Sequence, residues 1–181
     1  MVYRFLLLSD EVDNFSREIE IASDATFLQF HNAILDSVGY DKNQITSFFI
    51  CSDNWEKQQE ITLIDMGADS ATDTYLMEET PLDEFIEDVG QRLLYVYDNM
   101  TERAFFIELK ALVPNRTLDK PVCVSSKGKA PVQLIDIDKF AEKQHSDFDA
   151  DFYGSDEFDP DELDEDGFGD MSFDENGNEL Y

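Results

Sequence analysis

The acidic residues of this chain are distributed unevenly along the sequence. Residues 147–181 contain fifteen Asp and Glu and no Lys or Arg, which leaves 42 − 15 = 27 acidic and 13 basic residues before them. A segment that repels itself and carries few aliphatic side chains cannot bury a hydrophobic core. We therefore predict that folding is confined to the region before residue 147 and that residues 147–181 form a disordered acidic tail.

Length and composition narrow the classes of protein that this chain can represent. Its 181 residues, 42% of them hydrophobic, suffice for one packed core. A net charge of −29 disfavours direct binding to nucleic acid or to an anionic membrane, since both draw affinity from clustered Lys and Arg. A protein partner with a basic surface is the better expectation.

Cysteine content and hydropathy indicate the compartment. The two cysteines, Cys51 and Cys123, are too few for a disulfide framework or a cysteine-based zinc site. No stretch approaches the roughly 20 apolar residues that span a bilayer. We expect a cytoplasmic protein without a bound cofactor or metal.

Hydrophobic periodicity predicts a hairpin followed by a helix. Alternation from Tyr3 to Leu7 and from Arg17 to Ile21 is typical of two paired strands. The segment Thr26-Phe-Leu-Gln29 fits a capping box at a helix start. Gly39 stands where a helix end requires a left-handed residue.

Further strands are predicted at residues 45–51, 61–64, 92–97 and 104–113, with a polar loop at 66–79 and a short helix at 80–90. This order indicates an α+β fold with a β-grasp-like mixed sheet around one main helix. A ferredoxin-like fold is the alternative, and it would need a longer second helix. The predicted organisation is a domain at 1–113, an irregular extension at 114–146 and the acidic tail at 147–181.

Several segments of the chain resemble the Ri-plasmid ORF-3-like family. They are Tyr3-Arg-Phe5, Arg17-Glu-Ile-Glu-Ile21, Thr26-Phe-Leu-Gln-Phe-His-Asn-Ala-Ile34 and Leu93-Leu-Tyr-Val-Tyr-Asp98. The resemblance covers roughly residues 1–125. It implies a compact α+β domain and assigns no reaction to it.

Two elements typical of that family differ in this chain. The family carries a His-x-His-x-Phe element before its third strand, and Gln44 and Thr46 replace both His residues here. The family also carries an Asp-Phe-Gly-Asp-x-Trp-x-His element at the last hairpin. This chain keeps only the first residue of that element, as Asp98. The resemblance therefore implies a divergent member with a binding role.

His31 and Asp98 are the candidate catalytic residues. An imidazole that titrates near neutrality can act as a base or a metal ligand, and Asp98 is predicted at a strand end. A metal-dependent or carboxylate-based hydrolase is therefore the alternative to a binding role. A lone His on a helix is more often packed than catalytic, since metal sites usually gather three or four ligands.

The tail contains seven aromatic residues among its acids. Alternation of acidic and aromatic residues is typical of segments that dock rings on a basic partner. A solubilising tail and a nucleic-acid mimic that inhibits a basic protein are alternatives. The predicted partner-binding residues are Phe148, Phe152, Tyr153, Phe158, Phe168, Phe173 and Tyr181.

Overall fold

The structure, a computed structural model, describes residues 1–65, 67 and 75–134. They belong to a compact unit spanning Met1–Ile135. The predicted tail and its seven aromatic residues lie outside the described residues. Within these ranges the chain forms eight strands, an α-helix and a short 3₁₀ helix. The elements are β1 (Val2–Leu8), β2 (Ser16–Ala22), α1 (Phe27–Val38), β3 (Ser47–Cys51), β4 (Lys57–Thr62), β5 (Tyr75–Leu76), the 3₁₀ helix (Leu82–Glu84), β6 (Arg92–Asp98), β7 (Arg103–Val113) and β8 (Val122–Lys127).

The strands form one mixed sheet in the order β5-β4-β3-β6-β7-β1-β2-β8. Neighbouring strands are antiparallel except β4 and β5, which are parallel. In the predicted first hairpin, Tyr3 pairs with Ile21 and Phe5 with Ile19. The α+β class predicted from the sequence is confirmed.

Local capping signals determine the ends of α1. The Thr26 side chain accepts a hydrogen bond from the Gln29 backbone, and the Gln29 side chain accepts one from the Thr26 backbone. At the other end, Gly39 has φ +72° and donates its N–H to the Leu35 carbonyl. Both predictions are confirmed, because each depends on residues three or four positions apart.

Aromatic side chains fill the space between α1 and the sheet. Phe30 of α1 stacks on Phe5 at 4.5 Å and on Phe48 at 5.4 Å between ring centroids. Phe48 lies 4.8 Å from Tyr95 in β6. Full burial of each Phe ring contributes roughly 2 to 3 kcal/mol, so this cluster fixes α1 over β1, β3 and β6.

The segment predicted as a short helix at 80–90 has its only regular turn, within the described residues, at Leu82–Glu84. The backbone N–H of Leu82 bonds to the Ala25 carbonyl, and that of Asp83 bonds to the Ser23 carbonyl. Further along, the Gln91 side chain accepts hydrogen bonds from the backbone N–H groups of Glu87 and Asp88, which a longer helix would bond to its own carbonyls. The apolar residues of segment 80–90 therefore anchor a loop to the core and do not form a longer helix.

The structure also differs from the sequence-based expectation in three strands. The strand expected at 61–64 is β4 at Lys57–Thr62, and β5 lies in the segment expected to be a polar loop. Residues 122–127, expected to be irregular, form β8 and pair with β2. Most side chains of β4 and β8 are polar or exposed, so neither strand carries a clear hydrophobic alternation. The boundaries predicted at residues 113 and 146 stay predictions.

No helix in the described ranges has the length and apolar composition needed to cross a bilayer.

Candidate functional site

His31 lies inside the core, on the face of α1 that packs against the sheet. The residue is only 2% exposed to solvent. Its Nδ1 lies 2.8 Å from the Tyr95 hydroxyl and 3.2 Å from the Thr46 hydroxyl. Burial, with a smaller effect of the Lys42 charge, lowers the pKa of His31 to about 4. The imidazole is therefore neutral near pH 7.

This arrangement makes His31 a polar link between the helix and the sheet. A hydroxyl can donate to Nδ1 when that nitrogen carries no proton. Thr46 stands where the family's His-x-His-x-Phe element carries its second His. At this position a hydroxyl therefore contacts the His31 imidazole. A general base has to reach its substrate, and His31 is enclosed by side chains of the core.

Asp98, the second candidate, caps the turn between β6 and β7. Its carboxylate accepts hydrogen bonds from the backbone of Met100 at 3.0 Å and from the Thr101 hydroxyl at 2.6 Å. The nearest guanidinium nitrogen of Arg103 is 4.0 Å away. Asp and Asn commonly stabilise turns by such bonds, which accounts for its burial.

The two candidates do not form a common site in the described part of the chain. No hydrogen bond joins His31 to Asp98 there. Nor do three His, Cys, Asp or Glu side chains within residues 1–65, 67 and 75–134 gather closely enough to hold a metal ion. The described groups therefore lack the convergent donors that metal chemistry requires.

Both cysteines are free thiols. Cys51 is buried, and this burial raises the pKa of its thiol. Cys123 is exposed in β8, with its Sγ 3.3 Å from the Ser125 carbonyl.

An ion pair between distant segments borders a groove on the sheet. Arg103 donates to both carboxylate oxygens of Glu11, at 2.6 and 2.5 Å, and the Tyr97 hydroxyl donates to the same carboxylate at 3.0 Å. The Arg103 hydrogen bonds are the main cause of the lowered pKa of Glu11. The adjoining groove has a volume of about 340 Å³ and includes Leu94 and Val96 in its lining.

Sequence reasoning did not predict this pair. Glu11 and Arg103 are 92 positions apart, and each alone resembles an ordinary charged residue next to a turn. Only the pairing of β1 with β7 brings them together. Bidentate pairs of this kind fix geometry, so the pair holds the β1–β2 turn against the start of β7.

Arg17 is a buried cation whose hydrogen bonds all go to carbonyl oxygens. It donates to Ser37 at the end of α1 at 3.1 Å, and to Lys127 and Gly128 at 2.6 and 3.2 Å. A further bond goes to the carbonyl of the neighbouring Ser16. A cation is favourable at the C-terminal end of a helix. Arg17 thereby ties the end of β8 to α1.

β8 is the longer of the two strands at the ends of the sheet. It has six residues, whereas β5 at the other end has two. Val122 and Val124 are each 45% exposed. In the ranges that the structure covers, β2 pairs with one side of β8 and no strand lies on its other side. One edge of β8 is therefore open in the described part of the chain.

Three comparisons with known proteins place the chain in context. The model of the family described as plasmid pRiA4b ORF-3-like protein matches residues 3–166. A crystal structure of a protein of unknown function from Methanosarcina mazei Go1 is similar, with a TM-score of 0.59 and 20% identity over 88% of this chain and 91% of that one. Among curated protein sequences, none matches. That crystal structure supports the fold, and the match over most of the sequence shows that this chain belongs to the plasmid pRiA4b ORF-3-like family.

Proposed function

We propose that this protein is a non-catalytic interaction module that binds a protein partner through the open edge of β8. The observation that carries the proposal is the exposure of this edge strand together with its two half-exposed valines. An uncovered strand edge presents backbone N–H and C=O groups to which an extended segment can add as a further strand. The neighbouring side chains then select the partner.

Anchoring of β8 supports this proposal. Pairing with β2 fixes one side of the strand, and Arg17 fixes its last residue, Lys127. A binding surface that is already ordered loses less conformational entropy when a partner arrives. β8 is therefore suited to receive a strand without rearrangement.

The acidic residues 147–181 form the second part of the proposal. Their fifteen carboxylates and seven aromatic rings would extend the contact to a basic surface of the partner. We assign the protein to the cytoplasm, in keeping with its two free thiols. We also interpret the sheet as β-grasp-like, because α1 packs its buried face across the central strands.

Affinity capture with paired baits tests the proposal. The full chain is compared with a Val122→Asp/Val124→Asp variant, which replaces the two exposed apolar side chains of the open edge with negative charge. A partner captured by the full chain should be lost or strongly reduced with the variant. A melting temperature equal to that of the full chain shows that the variant is folded.

A third bait, Ile64→Asp, is the matched control. Ile64 is as exposed as the two valines but lies after β4, away from β8. If all three baits retain the same partner equally, the edge of β8 is not the binding surface.

A further inference from the structure

We infer that the partner segment received by β8 is an extended strand rich in acidic residues. This inference rests on the proposed function and names the chemistry of its partner. Its starting point is the charge around the strand: Arg116, Lys120, Lys127 and Lys129 lie within fourteen residues that contain a single acid, Asp119. These are four of the 13 basic residues in a chain of net charge −29.

The cations of this segment are accessible. All four residues are exposed. Lys120 precedes β8 by two residues, and Lys127 is the last residue of the strand. Arg116 contacts buried Glu20, with 2.8 Å between Nη1 and Oε2, in a direction unsuited to a hydrogen bond. Arg4 donates to the other oxygen of Glu20 at 2.5 Å. Within the described residues, no ion pair involves Lys120, Lys127 or Lys129, so these lysines add positive charge along the edge.

A second copy of this chain is a poor occupant of the same edge. Two β8 strands placed side by side would bring two sets of lysines together, and like charges across neighbouring strands are destabilising. Edge lysines are a common means by which proteins prevent pairing between identical strands. The same lysines attract a strand of opposite charge, so the edge selects for acidic segments.

The irregularity of β8 defines the length and pattern of the partner. The pairing register with β2 shifts between Glu18 and Ile19, so that Ile19 faces Cys123 while Glu18 faces Ser125. Val124 is the extra residue of this bulge. Val122 pairs with Glu20 and Lys127 with Ser16, which share one face of β2, so the Val122 and Lys127 side chains also lie on one face. An occupant of about six residues would therefore place an aliphatic side chain beside Val122 and an acidic one beside Lys127 on that face.

Three labelled synthetic peptides test the inference with the full-length protein. The first contains Val and Glu spaced to face Val122 and Lys127, the second has the same sequence with alternate backbone amides methylated, and the third carries Lys in place of Glu. Binding is measured by fluorescence anisotropy at low and high salt. Protection of the β8 amides is measured by hydrogen exchange.

The acidic peptide should bind, protect the β8 amides and weaken as salt increases. Methylation should reduce the affinity at least tenfold, because it removes backbone donors needed for strand pairing. The Lys120→Gln/Lys127→Gln variant should lose roughly fivefold to tenfold in affinity, the sum of two modest charge interactions. The Lys110→Gln variant is the control, since Lys110 lies in β7 and pairs with Glu108.

Three outcomes would overturn the inference. Equal binding of the Lys peptide would show that β8 does not select acidic strands, although strand addition itself would stand. Equal binding of the methylated peptide would show attraction of charge without strand pairing. If the acidic peptide leaves the β8 amides unprotected while a captured partner protects them, the acidic chemistry is wrong and the proposed function survives.

Discussion

His31 is kept neutral because folding removes it from water. Its pKa of about 4 in the folded chain lies below the ordinary value of 6.5, so the unfolded chain binds more protons between these values. The contribution of neutral His31 to the free energy of unfolding is therefore present at pH 7 and is lost as the pH falls toward 4.

The His31→Gln variant tests this pH dependence. Gln does not titrate, so the stability difference between the original chain and the variant should shrink by about 2 kcal/mol from pH 7 to pH 4.5. Urea unfolding of both proteins at the two pH values measures the difference. A stability difference between the two proteins that does not change with pH would show that His31 is not a buried neutral group.

Gly128 is required where the end of β8 meets the turn between β1 and β2. Its φ is +66°, and a Cβ placed there would lie 2.5 Å from the Asn14 backbone oxygen. We expect Gly128→Ala to lower the free energy of unfolding by about 2 to 4 kcal/mol, from left-handed strain and overlap combined.

Gly39→Ala is the matched control. Gly39 has φ +72°, but no atom lies within 4 Å of the position that an added methyl group would take, so backbone strain alone should cost about 1 kcal/mol. Denaturant unfolding of both variants compares them. Equal losses would contradict the close approach at Gly128.

At the scale of elements, α1 depends on the hydrogen bonds at its first turn. Thr26→Ala removes the side-chain oxygen that accepts from the Gln29 backbone, and should destabilise the protein by about 1 kcal/mol. Thr26→Ser keeps the acceptor and should retain most of the stability. Thermal unfolding followed by circular dichroism distinguishes the two, and similar losses would mean that packing of the Thr methyl is the larger contribution.

β8 depends on Arg17. Replacing Arg17 with Met leaves the Lys127, Gly128 and Ser37 carbonyls without this donor, at a cost of about 2 kcal/mol. The β8 amides should then exchange faster than those of β6. Lys42→Met, which removes an exposed pair with Asp36, should leave the exchange of β8 unchanged. Unchanged exchange in the Arg17 variant would contradict its anchoring role.

Elements whose signals are local could be predicted from the sequence. The pair Thr26 and Gln29 and the glycine at position 39 define α1 by themselves. β8 could not be recognised, because its residues are mostly exposed and its order comes from β2 and Arg17. The contact between His31 and Tyr95 could not be predicted either, because the two residues are 64 positions apart in the sequence.

At the scale of the whole molecule, the acidic residues 147–181 should be dispensable for folding. Removing them takes away fifteen negative charges and few aliphatic side chains. We expect the melting temperature to change by less than about 3 °C, corresponding to under 1 kcal/mol. Circular dichroism melts of the full and shortened chains measure this change. A larger decrease would mean that the segment contributes to the core.

Hydrogen exchange of the full-length protein, free and in complex with a captured partner, tests the central claim most directly. Binding through the open edge predicts that the amides of Val122–Lys127 become protected while those of the buried strand β6 change little. Unchanged exchange in β8, with protection elsewhere in the domain, would contradict the account.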